Sequence, residues 1–146
     1  MTILKLVQVR TSDEWSVYHR IRKAELFDDT TEAYDEHHPA EFHEGNVPLL
    51  FLLDGNGIAT TRLDFRLPYA IVRLVAVASS HQGLGYGRAL AEYVEEWARM
   101  KHALRLDLNA RSSAVGFYQR LGYFFNDWDP SDKGLSEDNV QMSKLL

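Results

Sequence analysis

Gln82-Gly83-Leu84-Gly85-Tyr86-Gly87-Arg88 lies between a nearly all-apolar run, Ala70 to Val77, and a segment of helical periodicity. In that segment Tyr86, Leu90, Tyr93, Val94 and Trp97 share one side, while Arg88, Glu92, Glu95, Glu96 and Arg99 fall on the other. A strand therefore delivers a glycine-rich turn to the start of a helix. The first-turn amides of a helix have no partner within it, and the helix dipole adds positive potential there, so such a junction is a physical anion site. Gly83, Gly85 and Gly87 let the backbone approach phosphate oxygens with no Cβ in the way. Gln82 adds a neutral polar side chain and Arg88 a charge-assisted contact.

What the loop lacks narrows the ligand. No Gly-Lys-Ser/Thr follows, so the Walker pattern fails. In Gly85-Tyr86-Gly87-Arg88-Ala89-Leu90 a leucine stands where a dinucleotide fingerprint needs its third glycine, and the strand comes too late in the chain for a first βαβ unit. A nucleotide-dependent oxidoreductase is thereby disfavoured.

Working outward, Ala70 to Val77 predicts a central strand buried on both faces. Before it, Leu49-Leu50-Phe51-Leu52-Leu53 predicts a buried strand. Asp54-Gly55-Asn56-Gly57 then makes a hairpin turn of residues that tolerate positive φ, and Ile58 to Arg66 returns as the partner strand, ended by Pro68. Residues 3–9 alternate as a first strand. Thr11-Ser12-Asp13-Glu14 forms a capping box for a helix carrying Val17, Tyr18, Ile21 and Ala24 and ending near Asp28. Pro39 interrupts any long helix between Thr30 and Pro48, which predicts a short helix and a loop.

After the loop's helix, Leu104, Leu106 and Leu108 alternate with Arg105 and Asp107 in a strand. Ser112 or Ser113 caps a short helix through Ala114, Phe117, Tyr118 and Leu121, stopped by Gly122. Tyr123-Phe124-Phe125, a polar turn around Pro130 to Gly134, and a strand near Val140–Met142 complete the chain. The order β-α-α-β-β-β-α-β-α-β-β predicts one α+β domain over residues 1–146, with a mixed, mostly antiparallel twisted sheet flanked by helices.

Composition sets the outer bounds. The 146 residues suffice for one core, and 45% hydrophobic with 25% charged residues is ordinary for a soluble globular protein. A net charge of -5 argues against a nucleic-acid partner, which needs a basic face, and leaves room for a cationic substrate. The absence of cysteine excludes disulfides, zinc–thiolate sites and a cysteine nucleophile, and fits a reducing compartment. No signal-peptide block opens the chain, and no apolar run approaches the ~18 residues of a membrane span. A cytoplasmic protein without membrane attachment is expected.

The longer pattern is more specific than the loop alone. Val75-Ala76-Val77, four residues, then Gln82-x-x-Gly85-x-Gly87 resembles the acetyl-CoA-binding motif of the GCN5-related N-acetyltransferase family. Leu108-Asn109-Ala110-Arg111-Ser112-Ser113-Ala114-Val115-Gly116-Phe117-Tyr118-Gln119-Arg120-Leu121-Gly122-Tyr123 resembles that family's second signature. The resemblance implies that the strand before the loop is bulged and splayed from its neighbour. It implies that backbone groups at Val75 and Val77 pair with the pantetheine arm of acetyl-CoA, and that an amide at the bulge polarises the thioester carbonyl. Plain core packing of both valine side chains is compatible with those backbone contacts.

The same resemblance assigns the pyrophosphate to Gln82–Arg88, with Leu84 and Tyr86 within that segment. Asn109 falls at the position that contacts pantetheine or orders water, although asparagine at a strand end also commonly shapes a turn. Tyr118 is implied as the general acid that protonates the departing thiolate; an aromatic sharing a face with Ala114 and Leu121 also suits a core. The strand Ala70–Val77 contains no acid, unlike the histone-acetylating branch. The candidate bases are therefore Asp64, Glu32, Glu36 or a water relay. His37, His38 and His43 beside Glu41 and Glu44 match no metal-ligand spacing, and no metal is expected. The acidic tract instead suits the lip of an amine site. The implied activity is direct acetyl transfer to a primary amine of a small molecule, peptide or protein, with a non-catalytic acyl-CoA-binding module as the alternative. Trp128, read as an exposed aromatic, could serve a homodimer contact.

Overall fold

The chain runs β1 (Leu4–Gln8), α1 (Ser12–Arg22), β2 (Asn46–Leu53), β3 (Asn56–Arg66), β4 (Tyr69–Val77), α2 (Tyr86–Met100), β5 (Arg105–Ala110), α3 (Val115–Arg120), β6 (Phe124–Phe125) and β7 (Val140–Leu145). These elements come from a computed structural model, which describes residues 1–28, 33–135 and 138–146. The seven strands form one sheet in the order β1-β2-β3-β4-β5-β7-β6. Every neighbouring pair is antiparallel except β4 and β5. The expected α+β class with a mixed, mostly antiparallel sheet is therefore found.

At the start of α1 the capping box forms as expected: Glu14 N donates to Thr11 Oγ1 at 3.1 Å, and Thr11 N donates to Glu14 Oε1 at 2.9 Å. Past Arg22 the helix widens into a π-helical turn, Lys23–Phe27, closed by Asp28 N donating to the Lys23 carbonyl at 3.0 Å. The expected second helix is replaced, among the described residues, by the three-residue 3-10 turn Pro39–Glu41. Pro39 fits its first position, where no N–H is required, and Ala40 N donates to His38 Nδ1 at 3.1 Å.

The β2–β3 hairpin is tighter than the four-residue reading. Leu53 pairs with Asn56, so only Asp54 (φ +49°) and Gly55 (φ +86°) form the turn. Gly57 belongs to β3 and is needed for a different reason: a Cβ there would lie 2.6 Å from Val17 Cγ1 of α1. β2 also begins earlier than Leu49. Pro48 is accommodated because the β1 ladder ends at Gln8↔Leu49, and beyond it Pro48 contributes only a carbonyl, accepting from Val9 N at 3.0 Å.

Two clusters hold the sheet between helices. On one face Leu90, Val94 and Ala98 of α2 pack against Phe51, Leu63, Val72, Leu106 and Met142. On the other, Tyr18 and Ile21 of α1 meet Val9, Leu50 and Ala76. Full burial of a large apolar side chain of this kind contributes roughly 1.5–3 kcal/mol. β4 is not buried on both faces as expected: Ala70, Val72 and Ala76 are buried, but Ile71 and Arg73 to Val75 are only half-buried. The strand is central, yet its second half opens into a cleft. Among the described residues, no helix is long and apolar enough to cross a membrane.

Candidate active site

The cleft begins where a bulge interrupts the pairing of β4 with β3 and the ladder of β4 with β5 ends. Across β3, Thr60 pairs with Ala76 and Arg62 with Arg73, so Thr61 alone faces two residues, Leu74 and Val75. This is a β-bulge. Leu74 sits in the left-handed region at φ +55°, and Thr61 Oγ1 donates to the Arg73 carbonyl at 2.9 Å. On the other side, the parallel ladder with β5 runs from Tyr69↔Arg105 to Val72↔Leu108 and stops. β5 continues along β7 as far as Ala110↔Val140. The two strands thus diverge into a V, enclosing a cleft of about 630 Å³ lined by residues 72–77 of β4, Leu108 and Asn109 of β5, and Tyr118.

The glycine-rich loop closes one end. Gly83 and Gly85 have φ of +75° and +89°, and no atom lies within 4 Å of where a Cβ would sit on either. Both the backbone conformation and the open space suit close approach of a phosphate to the first turn of α2. Gln82 lines the cleft, and its Nε2 donates to the Val77 carbonyl at 2.8 Å and to Glu25 Oε1 at 3.2 Å. Glu25 Oε2 also accepts from Ser79 N at 3.1 Å. The π-helical turn therefore reaches across to hold the loop. Leu84 is exposed, Tyr86 packs edge-on to His81 at 5.8 Å, and the exposed Arg88 stands 3.6 Å from Glu92.

Tyr118 projects from α3 into the cleft wall, with its ring set edge-on to Phe117 at 5.1 Å and Tyr123 at 5.4 Å. Burial pushes its hydroxyl up to about 12, against the opposing charge of Arg111. It is a proton donor at any neutral pH. The helix carrying it is not capped by Ser112 or Ser113: a 3-10 turn, Ser112–Ala114, precedes it, and Ser112 Oγ donates to Asp138 Oδ2 at 3.4 Å.

The candidate bases are not brought together. Asp64 is 2% exposed, and its carboxylate accepts from Arg62 Nε (2.6 Å), Arg62 Nη2 (3.0 Å) and Arg73 Nε (3.2 Å). With both oxygens engaged by guanidinium groups, it stands among the buried ion pairs rather than on the cleft lining. The chain of pairs continues through Arg62 to Glu41 (3.0 Å) and from Glu41 to Arg22 (2.7 Å). Glu36 lines a separate cavity of about 460 Å³ with Phe27 and Tyr34. Glu32 lies outside the described residues. Among the described residues, the carboxylates that line the cleft are Glu25 and Asp138, neither of which stood out in the sequence. Nothing local marks Glu25, because only the widened turn rotates it toward the loop.

Asn109 lines the cleft, and its Nδ2 donates to Asp132 Oδ1 at 3.0 Å. Asp132 also accepts from Arg73 Nη1 at 2.9 Å and Nη2 at 2.6 Å. Trp128, expected at the surface, is half-buried. Its Nε1 donates to the Leu108 carbonyl at 2.9 Å, and its ring lies 5.9 Å from the Arg73 guanidinium.

Solved structures share this arrangement of strands and helices. An acyl-CoA N-acyltransferase from Pseudomonas aeruginosa superposes with a TM-score of 0.79 at 19% identity, covering 99% of each chain. The ribosomal-protein-S18-alanine N-acetyltransferase of Escherichia coli gives 0.75 at 18% identity, covering 98% of this chain and 94% of that one. A PaiA N-acetyltransferase from Thermoplasma acidophilum in complex with coenzyme A gives 0.74 at 14% identity, covering 99% of each. At such identities these likenesses establish the fold. The sequence itself is matched over residues 13–123 by the model of the acetyltransferase (GNAT) family. That span holds the bulge, the glycine loop and Tyr118 alike, and the chain is a member of the acetyltransferase (GNAT) family.

Proposed function

We propose that the protein transfers the acetyl group of acetyl-CoA directly to a primary amine, and that the cleft between β4 and β5 is where it does so. One observation carries the reading: the bulged strand, the Tyr118 side chain and Gln82, at the head of the glycine loop before α2, meet along a single cleft. Acetyl-CoA would lay its pyrophosphate against the Gln82–Arg88 turn and its pantetheine arm along the unpaired edge at Val75, Ala76 and Val77. When bound it supplies the activated thioester. An amide of the Leu74–Val75 bulge polarises the carbonyl oxygen.

The amine must lose a proton before it attacks. Two carboxylates line the cleft among the described residues, and Glu25 is the one that holds the loop through Ser79 N and Gln82. Asp138 is hydrogen-bonded as well, accepting from Ser112 Oγ, and a water held beside either carboxylate is the group we assign to receive that proton. The C–N bond forms as the C–S bond breaks, and Tyr118 gives its hydroxyl proton to the leaving sulfur.

A screen of amine acceptors with detection of the freed CoA thiol identifies the acceptor. With the best acceptor, Tyr118→Phe should lower turnover at least tenfold with CoA affinity nearly unchanged, because the lost interaction exists only in the transition state. Unaltered turnover would remove Tyr118 from the acid role. CoA binding by the wild type with no thiol release from any amine would instead favour an acyl-CoA-binding module.

A further inference from the structure

The last hydrogen-bonded pair between β4 and β5 is Val72↔Leu108. The next residues on the two strands are Arg73 and Asn109. Both end on one carboxylate, Asp132, which comes from the segment between β6 and β7. Its Oδ1 accepts from Arg73 Nη1 at 2.9 Å and from Asn109 Nδ2 at 3.0 Å, while Oδ2 accepts from Arg73 Nη2 at 2.6 Å. A single oxygen thus bridges the two strands one step past the end of their ladder. The bridge is itself anchored: Gln141 Nε2 of β7 donates to the carbonyls of Asp129 (2.6 Å) and Asp132 (2.7 Å). Arg73 is held from below by Asp64 at 3.2 Å.

We propose that Asp132 is a positioning residue that sets the opening of the cleft, clipping Arg73 on β4 to Asn109 on β5 at the apex of the V, so that the pantetheine arm threads between strands held at fixed separation. The assignment rests on the reading that this cleft takes acetyl-CoA. The backbone alone cannot hold the apex, because a ladder that has ended supplies no further bonds across the gap. A bidentate guanidinium–carboxylate pair that is largely shielded from water gives both distance and orientation. The charge opposing the carboxylate is Arg73 of β4, which also pairs with Asp64 of β3. Asp132 lies beyond residue 123, where the family match ends, so the C-terminal segment of this chain supplies the clip.

Asp132→Asn tests it, since asparagine keeps the shape and an oxygen acceptor for Asn109 while losing the ion pair. Full-length protein, shown to be folded by circular dichroism, is titrated calorimetrically with CoA and, by displacement, with adenosine 3′,5′-diphosphate, which lacks the pantetheine arm. The expected result is a Kd for CoA at least tenfold higher than wild type, with the Kd for adenosine 3′,5′-diphosphate within twofold. An unchanged CoA affinity overturns the clip. So does a parallel loss for both ligands, which would mark a merely structural role felt throughout the fold. If D132N does not fold, Arg73→Lys, which keeps the charge but not the bidentate geometry, is read by the same two titrations and the same criteria. Wild-type protein that binds no CoA would overturn the proposed transfer reaction, and the clip with it.

Discussion

Asp132 owes its ionised state to the hydrogen bonds and charge of Arg73, which outweigh burial and, helped by the Asn109 side chain and the Gly134 amide, hold its carboxyl below the usual range. An unfolded aspartate titrates near ~3.9. A folded value below that means the pair's stabilisation is complete above the unfolded value and is lost as pH falls through the lower folded one. Melting temperatures of wild type and D132N should therefore differ most at neutral pH and converge as the solution is taken below about pH 4. A gap that stayed constant to pH 3 would show that Asp132 is not ionised against Arg73. Tyr118 behaves in the opposite sense: burial raises it, so its proton is retained through the ordinary assay range, and kcat should show no basic limb from its loss. Neither behaviour is visible in residue identity alone. Both follow from what the fold places beside the group.

At the scale of elements, the bulge in β4 depends on Thr61. The extra residue breaks the ladder, and the Arg73 carbonyl left over is satisfied by the Thr61 hydroxyl at 2.9 Å. Thr61→Val keeps the volume and removes the donor from a fully buried site, which should cost about 1–3 kcal/mol in denaturant unfolding. A loss under ~0.5 kcal/mol would mean that water replaces the hydroxyl. Elements with local causes are legible in the sequence: the Thr11–Glu14 capping box, the hairpin signalled by Asp54-Gly55-Asn56-Gly57, though its turn is tighter than that, and the glycine loop ahead of α2 each announce themselves within a few residues. The remaining features depend on contacts invisible in a short window. The π-helical turn that aims Glu25 at the loop, the bulge that leaves the second half of β4 partly open, and the 3-10 turn that stands, among the described residues, for the short helix expected between Thr30 and Pro48 are tertiary outcomes overriding local pattern.

Across the whole molecule, the cleft is assembled from pieces far apart in the chain. The half proposed to take CoA is contiguous from β4 to α3, which is why its resemblance to the family's motifs can be read from the sequence. The apex joins Arg73 to Asp132, 59 residues away, and a base cannot be chosen by pattern when Asp64 is drawn into ion pairs with Arg62 and Arg73. The same long-range closure puts Trp128 beneath the apex instead of on an open surface. None of the three tryptophans is itself a lining residue: Trp15 stacks on His19 and Trp97 donates to the Leu6 carbonyl at 3.1 Å, whereas Trp128 is bonded to Leu108, which lines the cleft at the point of divergence. The fork therefore carries a built-in optical reporter. Adding CoA should change the intrinsic fluorescence of the wild type and leave Trp128→Phe nearly silent. Stopped-flow emission would then time ligand entry without any label.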